Sequence, residues 1–513
     1  MPCVGYRSAS SFPRSGHPFL WVGSLLALLS GVLLNAADPA KDTGPRAVSF
    51  YKDIRPIFQA NCHGCHQPAK AKGGYVMTEF QKLLAAGDTG KAAVVPSKPA
   101  ESLLIEQITP INGEAEMPKG KPPLAEHEIA LVKRWIVEGA KDDTPPNAQQ
   151  QYSAENPPIY SRPPVVTSLD YSPDGNWLAV AGFHEVLLHK ADGSGVEARL
   201  VGLSERIQSV RFSPDGKLLA VAGGHPARVG EVQIWDLDKR KLSVSIPLGY
   251  DTAYGVSWSP DGKLVAFGLP DKTIRAVEAT TGKQAVQQGS HEDWVLDTVF
   301  SKEGSHIISV SRDMSAKLTE VASQRFVDNI TSITPGALRG GLQALARHPT
   351  KDEVLVGGAD GEPRIFQVFR QAARKIGDNA NLLRKFTRME GRIFSADYSP
   401  NGNLIAVAAT LDGRGAVNVY AAQFDSTIPT NILKTYAKTV GEYTKEEREA
   451  IEKFTTSEVK LLSSITFSNA ATYAVSFSPD GKRIAASGSD GTVHLIDAES
   501  GQIAQSFPVA PAI

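Results

Sequence analysis

From about residue 165 onward, apolar and polar positions alternate in short runs, and the runs return at a regular interval. Ser209-Val210-Arg211-Phe212 alternates like a half-buried strand, and Leu218-Leu219-Ala220-Val221-Ala222 reads as a mostly apolar one. Between them stands Ser213-Pro214-Asp215-Gly216, whose Pro and Asp-Gly set the geometry of a hairpin turn. The same punctuation recurs at Ser172-Pro173-Asp174-Gly175, Ser259-Pro260-Asp261-Gly262, Ser399-Pro400-Asn401-Gly402 and Ser478-Pro479-Asp480-Gly481. Weaker copies stand at Ser301-Lys302-Glu303-Gly304 and around His348-Pro349-Thr350-Lys351. A third strand follows in each unit, clearest at Val232-Gln233-Ile234-Trp235-Asp236, and then often a fourth. Seven units start near Val165, Arg206, Ala253, Glu292, Leu342, Ile393 and Thr472. An excursion of about 425–468 falls between the sixth and seventh units, and its Glu442–Phe454 stretch, alternating Glu, Lys and Arg, predicts a solvated helix.

The front of the chain has a different period. Ser49 is placed to cap a helix whose Phe50, Ile54, Ile57 and Phe58 share one face. Phe80, Leu83 and Leu84 predict a second helical face, and Ser102–Ile108 a third short helix after Pro96 and Pro99. The last helix, about Glu126–Glu138, has acidic residues at its start, an apolar side of Ile129, Leu131, Val132, Trp135 and Ile136, and Gly139 as its stop. A small all-α domain over 47–141 is therefore expected. A polar, proline-bearing linker over 142–160 leads to the all-β repeats of 161–513.

Residues 1–37 read as a signal peptide. Arg7 and Arg14 precede the apolar run Phe19–Leu34, and Asn35, Ala36 and Ala37 supply small residues for cleavage. Export to the periplasm follows, with membrane association only if the segment stays uncleaved. The 54 basic and 55 acidic side chains of the 513-residue chain argue against a nucleic-acid partner, which needs a basic surplus. With Cys3 removed, only Cys62 and Cys65 remain of the three cysteines, so no structural disulfide is expected.

Those two cysteines belong to Cys62-His63-Gly64-Cys65-His66, the spacing that covalent attachment of a c-type haem requires. Each thiol adds to one vinyl group, and the histidine after the second binds iron from the proximal side. A zinc site needs a second ligand pair that the chain lacks, and a thioredoxin-like dithiol follows a strand rather than a helix. Met117, in the Pro- and Gly-rich loop Ala115–Pro123, is the expected distal ligand, because such a loop offers it few apolar neighbours. Met77, in an apolar patch, and His127, at the start of the last helix, are its rivals. Lys70, Lys72, Lys119 and Lys121 are placed to rim the haem edge and steer an acidic partner.

The run from Phe50 to Asp143 resembles the c-type cytochrome domain of planctomycetes and related bacteria. It does so through Phe50-Tyr51-x-Asp53-Ile54-Arg55-Pro56-Ile57, the haem motif, Met117-Pro118 and Arg134-Trp135-Ile136-x-Glu138-Gly139-Ala140. The resemblance implies one covalent haem c per chain with His66 and Met117 as axial ligands, and no catalysis by the domain itself. The repeats are similar to the WD40 family, whose units of about 40 to 45 residues form four-stranded blades. Only Trp235-Asp236 carries the signature dipeptide, and His291 is the best entry histidine. The resemblance implies a seven-bladed β-propeller, with a protein partner on one of its faces. His225 and Arg228, in the enlarged loop Gly223–Gly230, are placed to line the mouth of its channel.

Two functions follow from different classes. One is an exported single-electron carrier, passing electrons to and from a redox partner protein, with the propeller as a scaffold. The alternative is an oxidoreductase whose propeller holds a second redox centre or substrate site. WD40-like punctuation and the lack of a catalytic motif or a second haem motif favour the first.

Overall fold

The computed structural model describes residues 46–67, 70–145, 152–249, 251–332, 338–375 and 377–510. The expected signal segment lies outside them. Among the described residues no helix is long and apolar enough to cross a membrane.

Ser49 opens the front part as expected, its hydroxyl accepting from the Lys52 N–H at 3.0 Å while Asp53 reaches back to the Ser49 N–H at 2.8 Å. The turn Phe50–Ile54 then runs into helix α1, Arg55–Asn61. Phe50, Ile54, Ile57 and Phe58 are all buried, which is the face the spacing predicts. Helices α2 (Phe80–Leu84), α3 (Leu103–Ile108) and α4 (Glu126–Val137) follow. Trp135 of α4 stacks on Phe50 at 5.3 Å and meets Phe58 edge-on at 6.4 Å, so the first and last helical segments share one core. After the Cys62–His66 motif a short ribbon pairs His66 with Ala71 and Gln67 with Lys70.

The rest is all-β but for one helical excursion. Among the described residues, five sheets have four strands each in sequence order, and one has seven. The seven-stranded sheet arises because one 17-residue strand, Val196–Phe212, serves two units. Its start pairs with the third strand of the first unit (Leu187↔Arg199), and its end pairs with the second strand of the next (Val210↔Val221). The first strands of neighbouring units pack side by side, and Thr472–Phe477 of the last unit packs against Leu169–Tyr171 of the first. Those two units also share one apolar cluster.

The Ser-Pro-Asp-Gly turns join the first and second strands of their units. Ser213 Oγ accepts from the Leu218 N–H at 2.9 Å and donates to Asp215, which also accepts from the Lys217 N–H. Gly216 closes the turn at φ +72°, a conformation that favours glycine. The same bonds recur at Ser172, Ser259, Ser399 and Ser478.

The excursion differs from expectation. Helices α5 (Thr430–Tyr436) and α6 (Lys445–Thr456) sit inside the sixth unit, because the strand Lys460–Phe467 that follows them pairs with Arg414–Ala421 as that unit's fourth strand. That strand is exposed on most of its length, so it lacks the apolar alternation that marks its neighbours.

Candidate functional site

The turn after α1 positions the haem-type motif. The Cys62 and His63 N–H groups both bond to the Phe58 carbonyl, and the Cys65 and His66 N–H groups bond back to the Cys62 carbonyl. This wraps five residues into one tight loop with both thiols free. Burial pushes the Cys62 thiol up to about 12, which keeps it protonated.

A cavity of about 380 Å³ opens beside the loop, lined by Cys62, Cys65, His66 and Met117 together with apolar Leu103, Leu104 and Ile108. Residues separated by some fifty positions in the chain thus face one space. The His66 Nδ1–H donates to the Tyr75 carbonyl at 3.3 Å, since a carbonyl only accepts. That leaves Nε2 with its lone pair, the tautomer a metal-binding histidine needs. Two thiols, an unprotonated ring nitrogen and a thioether around an apolar cavity fit a c-type haem.

The rival ligands separate by position. Met77 also reaches the cavity wall, but it is only 3% exposed within the core, and its N–H bonds to the His66 carbonyl at 2.9 Å. It therefore stands on the histidine's own side. Met117 comes from a separate segment, its N–H held by the Gln107 carbonyl at 2.9 Å. His127 is exposed on α4 and does not line the cavity. Lys72, Lys119 and Lys121 line the cavity with exposed side chains, and Lys91 joins them. Lys70 is half-buried and does not line the cavity.

Sequence reasoning missed that the β region takes part. Ser245 and Pro247, from the strand Lys241–Leu248, complete the cavity wall. A Cβ at Gly64 would lie 2.9 Å from both Pro247 Cδ and the Ser245 carbonyl, so this glycine is fitted to the seam. The enlarged loop Gly223–Gly230 also differs from expectation. It meets the helical part rather than a channel mouth, with Arg228 and Arg55 each 5.4 Å from the Tyr51 ring. His225 lies in the same seam, 2.8 Å from Glu205. His63 is buried there too, and burial pushes its imidazole down to about 3, leaving it neutral. A local signal for these contacts was absent, since each partner lies in a different domain of the chain.

His291 makes a Ser–His–Asp arrangement, with Asp313 Oδ2 and Ser309 Oγ each 2.8 Å from its ring nitrogens. All three side chains are buried, so the set braces its unit and offers no substrate access.

Residues 62–120 match the family described as Planctomycete cytochrome C. Residues 159–185 and 282–319 match the WD domain, G-beta repeat, and 452–513 match the WD40 domain of anaphase-promoting complex subunit 4. The β region is also similar to eukaryotic translation initiation factor 3 subunit I. The Candida glabrata protein is 27% identical over 118 residues, 23% of this chain and 32% of that protein. The Drosophila simulans protein is 24% identical over 204 residues, 39% of this chain and 59% of that protein. The chain thus spans about a third to three-fifths of the length of these curated relatives. A chain in the crystal structure of the mitotic checkpoint complex aligns over 65% of this chain and 88% of its own, at 16% identity and a TM-score of 0.48. This protein joins a Planctomycete cytochrome C domain to a WD40-repeat region.

Proposed function

We propose that the protein is an exported c-type cytochrome carrying single electrons, with its WD40 region acting as a protein-interaction scaffold. The observation that carries this reading is the convergence of Cys62, Cys65, His66 and Met117 on one apolar cavity. When bound, a haem supplies reversible one-electron chemistry at its iron. In this reading Cys62 and Cys65 hold one haem per chain through two thioethers. His66 Nε2 and the Met117 sulfur would hold its iron, with Tyr75 fixing the His66 tautomer. A methionine donor raises the reduction potential relative to a harder ligand.

Exposed Lys72, Lys91, Lys119 and Lys121 around the cavity would attract an acidic redox partner. The contact between the first and last units supports closure of the seven units into a seven-bladed propeller, whose faces would dock a protein. The printed name of the initiation-factor relatives, a subunit of a larger factor, supports a scaffold role of this kind. The proposed layout is a signal peptide over 1–37, a cytochrome domain over 47–141, a linker over 142–160 and the propeller over 161–513. It places the working protein in the periplasm.

The test is an absorption spectrum of the exported protein, oxidised and reduced, with a pyridine haemochrome count. One low-spin c-type haem per chain is expected. Cys62→Ser and Cys65→Ser should each weaken covalent retention, and Met117→Ala should keep the haem while lowering its potential. Absence of haem would overturn the reading. An unchanged spectrum and potential in Met117→Ala would overturn the distal assignment.

A further inference from the structure

A chain of buried polar groups runs from the motif into the second WD40 unit. Gln67, next to His66 and only 1% exposed, donates through Nε2 to Ser245 Oγ at 3.2 Å. Ser245 Oγ in turn donates to Glu231 Oε1. The other oxygen of Glu231 accepts from Ser204 Oγ and from Gln233 Nε2, each at 2.7 Å. Gln233 is itself oriented by the Trp235 Nε1–H, at 2.9 Å. Ser245, Ser204 and Gln233 all donate to the carboxylate, as an acceptor-only group requires. Glu231 is 4% exposed, so its charge is poorly screened by water.

This carboxylate stands behind the wall that Ser245 and Pro247 give the haem-type cavity. It also borders a second, smaller cavity of about 110 Å³ in the seam, shared with His63, Gly64 and Arg228. Lys70 is a half-buried cation on the ribbon that carries His66, its segment packs on the strand Lys241–Leu248 that holds Ser245, and the charges of Cys65 and Glu231 both reach it. The three groups that donate to Glu231 belong to the β region, and the branch through Ser245 continues to Gln67, the residue next to His66.

We infer that the second WD40 unit is part of the redox site, and that Glu231 tunes its potential through Ser245 and Gln67. The inference rests on the haem reading above. A fixed negative charge in a poorly solvated wall favours the oxidised form, which carries one more positive charge than the reduced form. Glu231 thus holds the potential down, while Lys70 offsets it. Ser245 and Gln67 act as positioning residues that tie the carboxylate to the ligand loop. The WD40 region is, on this view, a permanent partner of the haem domain as well as a scaffold.

The experiment is a spectroelectrochemical titration of the full-length haem-loaded protein against Glu231→Gln and Lys70→Gln. Glu231→Gln keeps the side-chain shape and should raise the potential. At a fixed potential the oxidised-to-reduced ratio should fall at least threefold, on a scale where tenfold is about 59 mV for one electron. Lys70→Gln should shift it the opposite way, and because Lys70 is only half-buried this variant remains readable if Glu231→Gln folds poorly. A wild-type protein without haem would fail the underlying reading. A haem-loaded wild type with unshifted potential in the folded variants would overturn this inference and leave that reading intact.

Discussion

Single residues carry most of what makes the site specific. For His66, one carbonyl, that of Tyr75, decides which ring nitrogen is protonated. Met117 and Met77 are chemically identical, and only their attachment to different walls distinguishes them. At the turns, Ser213 shows how one hydroxyl sets a hairpin by bonding both the Leu218 N–H and Asp215. Ser213→Ala should cost about 1 kcal/mol, read as a lower urea midpoint with an unchanged slope. The motif residues and turn serines were legible in the sequence because each acts within a few positions of itself. The tautomer of His66 was not legible, since it depends on the carbonyl of Tyr75 across the ribbon turn.

At the scale of elements, the helical part depends on α4. Trp135 is 1% exposed and packs on Phe50, Phe58 and Phe80, while its Nε1–H donates to the Lys141 carbonyl at 3.0 Å. Trp135→Ala should cost about 3–5 kcal/mol, visible as a lowered melting temperature of the helical part by circular dichroism. Trp135→Phe, which keeps the stack and loses the hydrogen bond, should cost less. Helix positions were legible because apolar residues at i, i+3 and i+4 report a buried face directly. The excursion in the sixth unit was misplaced for the converse reason. Lys460–Phe467 is held as a strand by its pairing with Arg414–Ala421, and its side chains bury too little to advertise that pairing. Arg384 anchors the excursion from beneath, with its guanidinium 4.3 Å from the Phe424 ring and 4.8 Å from that of Phe454, and its Nη2 bonded to Glu458 at 2.9 Å.

Across the whole molecule, two features give measurable consequences. Asp170, Asp297 and Asp397 lie in the first strands of their units, around Arg211, which lines a cavity of about 340 Å³ together with Asp297. Burial pushes their carboxyls up, to about 7 for Asp170 and Asp297 and about 6 for Asp397, against the pull of Arg211. Each therefore holds its proton more tightly folded than unfolded, where a carboxyl titrates near about 3.9. The stabilisation is fully present below that value and is lost as pH rises through about 6 to 7. The urea midpoint of the β region should fall between these limits as pH rises, and Asp297→Asn should flatten the slope. The second feature is the seam. Gly64→Ala places a methyl group 2.9 Å from Pro247 Cδ and from backbone, so the seam should open slightly. Faster amide exchange over Lys241–Leu248, with haem retention unchanged, is the expected outcome. Unaltered exchange would show that the seam accommodates a methyl group.

The sequence by itself determined the two parts of the chain, the helical faces, the recurring hairpin turns and the residues of the haem-type motif. These are local properties, written in periods of two and 3.6 and in turn residues a few positions apart. Tertiary structure alone decided that Met117 and His66 line one cavity and that the loop Gly223–Gly230 closes on Tyr51. It alone decided that Ser245 and Glu231 stand beside the motif. Gln67 and Ser245 are 178 positions apart, and a contact at that separation leaves no periodic trace in either segment. Only the packing of one folded part against the other brings them within hydrogen-bond reach.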